Sequence, residues 1–130
     1  MATKISFINE IAGLCDKVGA DVTEVARGIG LDSRIGSRFL SAGLGWGGSC
    51  FPKDTAALVA MASEFNYSLP IVEAAREVNA RQQLLIVEKL QGALKGIRGQ
   101  VIGVLGLSFK PNTDDIRESP AVKLIRLLVE

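Results

Sequence analysis

The run VIGVLGL, Val101–Leu107, followed by SFKPNTDDIRESP, Ser108–Pro120, sets the fold class of this 130-residue chain. Its first part is short, wholly apolar and rich in β-branched residues, with glycines at 99 and 106. That pattern predicts a strand buried on both faces, as in a parallel sheet. The second part is a polar loop, and Pro120 sits where a helix can begin. Strand, loop and helix in that order open a doubly wound α/β domain.

Upstream of this run the pattern is helical. Ile5, Ile8, Ile11, Ala12, Cys15 and Val18 fall on one helical stripe that Gly19 should stop. On this spacing Cys15 reads as a small core residue. In GADVTEVARGIGLD, Asp21 is placed to cap a short helix with Glu24 three residues on, and Gly28 and Gly30 to end it. Residues 33–49 are loop-like and carry five glycines. A helix follows from Pro52 to Phe65, then a break at NYSLP. A long helix runs from about Leu69 to Leu94, with Ile71, Ala75, Val78, Leu85 and Val87 among charged positions. Gly96 and Gly99 should close it. The expected fold is therefore a mainly α domain over 1–97, then the first β-α unit of a Rossmann-like, doubly wound α/β domain over 98–130. Both ends interrupt helical patterns, so the chain reads as a piece of a longer protein.

Composition narrows the chemistry. The net charge of +1, with Lys and Arg scattered, points to no nucleic-acid or membrane partner. No apolar run approaches the roughly 18 residues of a membrane span. Two cysteines in unlike contexts suit a reducing cytoplasm rather than a disulfide framework. With no histidine, a Cys-His or Ser-His dyad is excluded within this chain, and no metal site is expected.

The other cysteine lies in GWGGSCFPKD, Gly45–Asp54, between a glycine-rich loop and a Pro-started helix. Glycines are expected where the backbone turns sharply or approaches a ligand. A thiol at a helix N-terminus meets partial positive charge, and a nearby cation such as Lys53 acts the same way, so Cys50 is a candidate nucleophile. Asp54, one turn on, could orient a water or take its proton. Gly47 and Gly48 leave room for a substrate and could offer N–H groups to an oxyanion. The plainer alternative is a cysteine chosen for packing, with Lys53 and Asp54 simply exposed.

RIGSRFLSAGLGWGGSCFPKD, Arg34–Asp54, resembles the active-site segment of the UDP-glucose/GDP-mannose dehydrogenase family. GLSFKPNTDDIRESPA, Gly106–Ala121, is similar to the same family's segment at the start of its third domain, and INEIAGLCDKVGADVTEVARGIGLDSRIG to the helices before the active-site loop. The resemblance implies an NAD-dependent enzyme that oxidises a nucleotide-sugar primary alcohol to the carboxylate, with two NAD⁺ and one water. It implies Cys50 as the nucleophile, passing through a thiohemiacetal and a thioester, and Asp54 as an aid to water. Substrate-binding positions fall on Arg34, Phe39, Leu40, Gly47, Phe109 and Lys110, and Arg34 would reach the substrate of a neighbouring subunit. Lys53 and Arg117 fall on the cofactor side. For Arg34 and Lys110 the alternative is an exposed surface residue; for Arg117 it is a local ion pair with Asp114 or Asp115.

The resemblance also implies that the central helices form a homodimer core and that residues 98–130 open a UDP-sugar-binding domain. UDP-glucose is the favoured substrate, with GDP-mannose or a UDP-N-acetyl-hexosamine as alternatives, and a non-catalytic dimerisation module as the reading from another class. Ser41 stands where some relatives carry a lysine, and Trp46 replaces the usual Phe or Tyr. The family's N-terminal NAD-binding domain is not in this sequence, since VIGVLGLSF lacks the Gly-x-Gly-x-x-Gly spacing. Lys4 falls past the family's Lys-x-x-x-Asn motif and reads as a solvated helix residue.

Overall fold

A computed structural model describes residues 1–129 and folds them into helices α1 (Ala2–Val18), α2 (Val22–Gly30), α3 (Phe51–Glu64), α4 (Pro70–Leu94) and α5 (Pro120–Val129). Local chemistry accounts for most of the ends. Gly19 takes φ 72° after α1 and returns its N–H to the Cys15 carbonyl, a turn that needs a residue tolerant of the left-handed region. The Asp21 carboxylate accepts from the Thr23 N–H and caps α2, as expected. Glu24 does not return to the helix start; it pairs with Arg27 on the exposed face. The helix also passes through Gly28 and ends at Gly30. At the end of α4, Lys95 rather than Gly96 takes the left-handed cap, with φ 53°.

Helix α4, 25 residues long, is the hub. Helices α1, α3 and α5 pack on it, and α2 packs on α1. The buried apolar side chains are Ile8 and Cys15 of α1, Ala75 and Val78 of α4, and Ala121 and Leu124 of α5, with Leu40 and Trp46 from the long loop. Cys15 is thus a core residue, as its spacing indicates. Ser6, Asn9, Gln82 and Gln83 are buried along the same seam. Ile71 and Leu85, expected within the apolar stripe of α4, are instead exposed; Leu85 borders an open cleft between α4 and α1. No helix among the described residues is long and apolar enough to cross a membrane.

The largest departure is at Val101–Leu107, where the expected strand does not form. No strand occurs among the described residues, and Val101 and Leu105 are fully exposed. The reason is physical: a strand exists only through a ladder with a neighbour, and the described residues hold no second strand to supply one. The fold observed is therefore all-helical. The helix expected at Pro120 does form, and its N-terminal end is held against the glycine loop.

Candidate active site

The site is built where the two glycine-containing segments meet. The Gly48 N–H donates to the Arg117 carbonyl at 3.0 Å. A Cβ on Gly47 would sit 2.0 Å from the Glu118 carbonyl oxygen and 2.9 Å from Pro120 Cδ. A Cβ on Gly48, whose φ is +84°, would sit 2.7 Å from the Phe109 ring. Both glycines are therefore required by close approach, and the segment Phe109–Pro120 lies directly on the loop. Phe109 is tied back by its N–H to the Asp115 carbonyl at 3.0 Å, and the Lys110 ammonium sits over its ring at 5.2 Å from the centroid.

A cleft of about 740 Å³ opens at this junction, lined by Gly48, Ser49, Pro52, Lys53, Arg117 and Glu118. Cys50 is exposed but is not itself among these lining residues; it follows Ser49 in the chain and immediately precedes α3, where the helix presents its unsatisfied N–H groups. Its Sγ lies 3.7 Å from the Ser49 hydroxyl. The Asp54 N–H donates to the Cys50 carbonyl at 2.9 Å, so Asp54 is one turn on, as the spacing implies. Its carboxylate, however, is engaged by Lys53. That contact is the main reason the Lys53 pKa is raised, and the nearby Cys50 sulfur adds to the same direction. The Gly48 N–H is already donated to Arg117, which corrects the expectation that it could serve an oxyanion.

Arg117 adopts the local pairing that the sequence leaves open. Its guanidinium chelates Asp115, with Nε–Oδ1 at 3.0 Å and Nη2–Oδ2 at 2.7 Å, and its backbone N–H donates to Oδ1 at 2.9 Å. The Arg117 side chain holds the Asp115 pKa down to about 2, from an ordinary value of 3.8. Because the folded value is depressed, the stability this contact contributes is present above pH 3.8 and is lost as pH falls toward about 2. A carboxyl-carbon NMR titration should place the Asp115 midpoint near 2; a midpoint near 3.8 would contradict the chelate. Lys53 and Arg117 are the two cations lining the cleft; each is paired with a carboxylate, Asp54 and Asp115, and Glu118 lines the same cleft.

Arg34, Phe39 and Leu40 do not line this cleft. Arg34 repeats the same geometry on Asp32, with Nε–Oδ1 at 3.0 Å and Nη2–Oδ2 at 2.6 Å, and its side chain is 87% exposed. Phe39 takes φ 65°, a region that costs an L-residue on the order of 1 kcal/mol. The Leu40 side chain is buried at 4% exposure and borders a separate cleft with Val22, Thr23, Ala26 and Arg27. Lys4 is not a free solvated residue; its ammonium donates to the Ile35 and Gly36 carbonyls at 2.8 and 2.9 Å and holds the turn that carries Arg34.

The groups that hold the glycine loop are not apparent from the motifs. Trp46 is buried, and its indole N–H donates to the Ser6 hydroxyl at 2.9 Å. The Asn79 amide bonds both the N–H and the carbonyl of Trp46. Gln83 donates to the Leu44 carbonyl, and Asn9 accepts from the Gly43 N–H at 2.8 Å. The one signal in the sequence is the placement of amides on core-facing positions of α1 and α4. Such positions tolerate polar groups only when partners are present, and a glycine loop supplies unpaired backbone.

Residues 1–81 match the UDP-glucose/GDP-mannose dehydrogenase family, central domain. The chain belongs to the UDP-glucose/GDP-mannose dehydrogenase family. Residues 103–130 match the same family's UDP binding domain. Among curated relatives, the UDP-glucose 6-dehydrogenase TuaD of Bacillus subtilis (strain 168) is 55% identical over 128 residues, which is 98% of this chain and 28% of the relative. A UDP-glucose 6-dehydrogenase of Rhizobium meliloti (strain 1021) is 57% identical over 129 residues, 98% of this chain and 30% of the relative. A solved UDP-glucose dehydrogenase from the hyperthermophilic archaeon Pyrobaculum islandicum is similar with a TM-score of 0.95 and 47% identity, covering 98% of this chain and 30% of that one. The chain thus spans less than a third of the length of these family members.

Proposed function

We propose that this chain is the central part of a UDP-glucose 6-dehydrogenase, which oxidises UDP-glucose to UDP-glucuronate. The observation that carries the reading is the placement of Cys50: exposed, at the start of α3, and next in the chain to Ser49, which lines a cleft shared with Arg117 and Glu118. The relatives of that name, 55% and 57% identical, support the substrate. Residues 98–130 are read as the opening of the UDP-sugar-binding, Rossmann-like domain, supported by the match over 103–130.

The residues then take definite roles. The Cys50 thiolate adds to the carbonyl carbon of the C6 aldehyde, a carbon–sulfur bond forms, and the oxygen takes a proton to give a thiohemiacetal. Loss of a hydride from the same carbon, with the hydroxyl proton released to solvent, leaves a thioester. Water adds to it and gives up a proton, the carbon–sulfur bond breaks with its electron pair returning to sulfur, and the acid loses its proton and leaves as the carboxylate. Asp54 orients that water once Lys53 turns to the ligand. NAD, when bound, supplies the hydride acceptor for both oxidations, and Lys53 and Arg117 are the residues of this chain that would hold its anionic part. Gly47, Phe109 and Lys110 line the sugar side, and Leu40 contributes through its backbone.

Arg34, displaced from the cleft and exposed, is read as reaching the substrate of a second copy, and Phe39 as a substrate-binding position beside it. The exposed Phe7, Leu14, Leu58 and Met61 on α1 and α3 support a homodimer through the central helices. The full-length protein should form two NADH per UDP-glucuronate from UDP-glucose. Faster oxidation of GDP-mannose or a UDP-N-acetyl-hexosamine would assign another substrate within the family. No oxidation of any nucleotide sugar would leave a dimerisation module.

A further inference from the structure

We propose that Asn79 is a positioning residue that sets the place of the Cys50 sulfur by clamping the backbone of Trp46. This rests on the role proposed for Cys50. Asn79 Oδ1 accepts the Trp46 N–H at 2.7 Å, and Asn79 Nδ2 donates to the Trp46 carbonyl at 3.0 Å. One amide bonding both polar groups of one residue fixes that residue in translation and rotation, as a neighbouring strand would. Only one orientation of the amide satisfies both bonds.

The clamp matters because the chain just beyond it is intrinsically loose. Between Trp46 and Cys50 stand Gly47, Gly48 and Ser49, and glycines have the most backbone freedom to lose. The sulfur is therefore located by the anchors on either side of this flexible link. The downstream anchor is Arg76, whose Nη1 donates to the Pro52 carbonyl at 3.0 Å and to the Thr55 hydroxyl at 2.7 Å. Asn79 and Arg76 are three residues apart on α4, so one helix face holds both ends of the link. The Trp46 ring meets Phe51 edge-on at 6.0 Å and joins the two anchors across Cys50. Gly45 supports the same conclusion independently: with φ +108°, it leaves space that a Cβ would take, 2.5 Å from Asn79 Oδ1.

The test uses the full-length enzyme with UDP-glucose and NAD⁺. Asn79→Leu keeps the size of the side chain and removes both bonds; Asn79→Asp keeps the acceptor and sets a carboxylate oxygen against the Trp46 carbonyl. For Asn79→Leu, kcat should fall about 10- to 100-fold while KM for UDP-glucose stays within roughly threefold, since misplacement of a reacting group costs the transition state rather than ground-state binding. The melting temperature should stay within a few degrees, and Asn79→Asp should fall between this variant and the parent. If Asn79→Leu does not fold, Asn79→Asp is judged by the same split. A kcat within twofold of the parent, or kcat, KM and melting temperature all deteriorating together, overturns the positioning role. Cys50→Ser in the same assay separates the two ideas. If it keeps turnover, the role of Cys50 itself fails and Asn79 has nothing to position; if it loses turnover while Asn79→Leu does not, only the clamp is wrong.

Discussion

Replacing Cys50 by serine in the full-length protein is expected to lower UDP-glucuronate formation by about 10³-fold or more, the scale seen when an enzyme loses its nucleophile. A serine hydroxyl is almost wholly protonated at neutral pH and is a far weaker nucleophile than a thiolate. Capture of the aldehyde should fail, and with it the second oxidation. The structure makes this a clean experiment. Cys50 is exposed, and its only polar side-chain contact among the described residues is the Ser49 hydroxyl at 3.7 Å. The melting temperature should therefore not move. Cys15, buried in the α1–α4 seam, is the internal reference for thiol labelling. Full turnover by the serine variant, or labelling of Cys50 no faster than Cys15 in the native protein, would remove Cys50 from the mechanism.

Replacing Gly47 by alanine should damage stability and activity together. The new Cβ would lie 2.0 Å from the Glu118 carbonyl oxygen, inside the distance at which either backbone can stay in place. The segment Arg117–Pro120 must move off the loop, which breaks the Gly48 N–H to Arg117 carbonyl bond and shifts the start of α5. Overpacking of this kind costs about 1–3 kcal/mol. The cleft between the two segments opens, so kcat/KM should fall about 10- to 100-fold. Gly92→Ala is the control. It lies inside α4 with nothing within 4 Å of its Cβ, and should be neutral or stabilising by up to about 1 kcal/mol. If Gly47→Ala unfolds at the parent temperature with unchanged kcat/KM, the two segments do not dock through this glycine.

The helices are legible in the sequence because their ends carry local chemistry. Gly19, Asp21, Pro70 and Pro120 act within a turn of themselves, and their effects need no tertiary partner. Val101–Leu107 reads as a strand on equally local grounds, but a strand depends on a partner, and the described residues contain none. The positions of Cys50 and Asp54 follow from spacing. The partner of Asp54 does not: Lys53 takes its carboxylate, and an adjacent ion pair of this kind is not favoured by any periodicity, whereas the charge-rich TDDIRE stretch leaves the Arg117–Asp115 pair open to a reading from sequence. Asn79, Gln83, Ser6 and Asn9 are hidden for a related reason. A polar residue on a helix looks solvated until the loop that needs its hydrogen bonds is placed beside it.

In the proposed mechanism the Cys50 sulfur becomes covalently joined to the sugar during turnover. This is tested most directly by quenching the full-length enzyme in acid while it oxidises UDP-glucose with NAD⁺, digesting it, and weighing the peptides. Added mass of the oxidised nucleotide sugar is predicted on the peptide that contains Cys50, and none on the peptide that contains Cys15. An unmodified Cys50 in an enzyme caught in steady turnover, or the adduct on another residue, would contradict the mechanism.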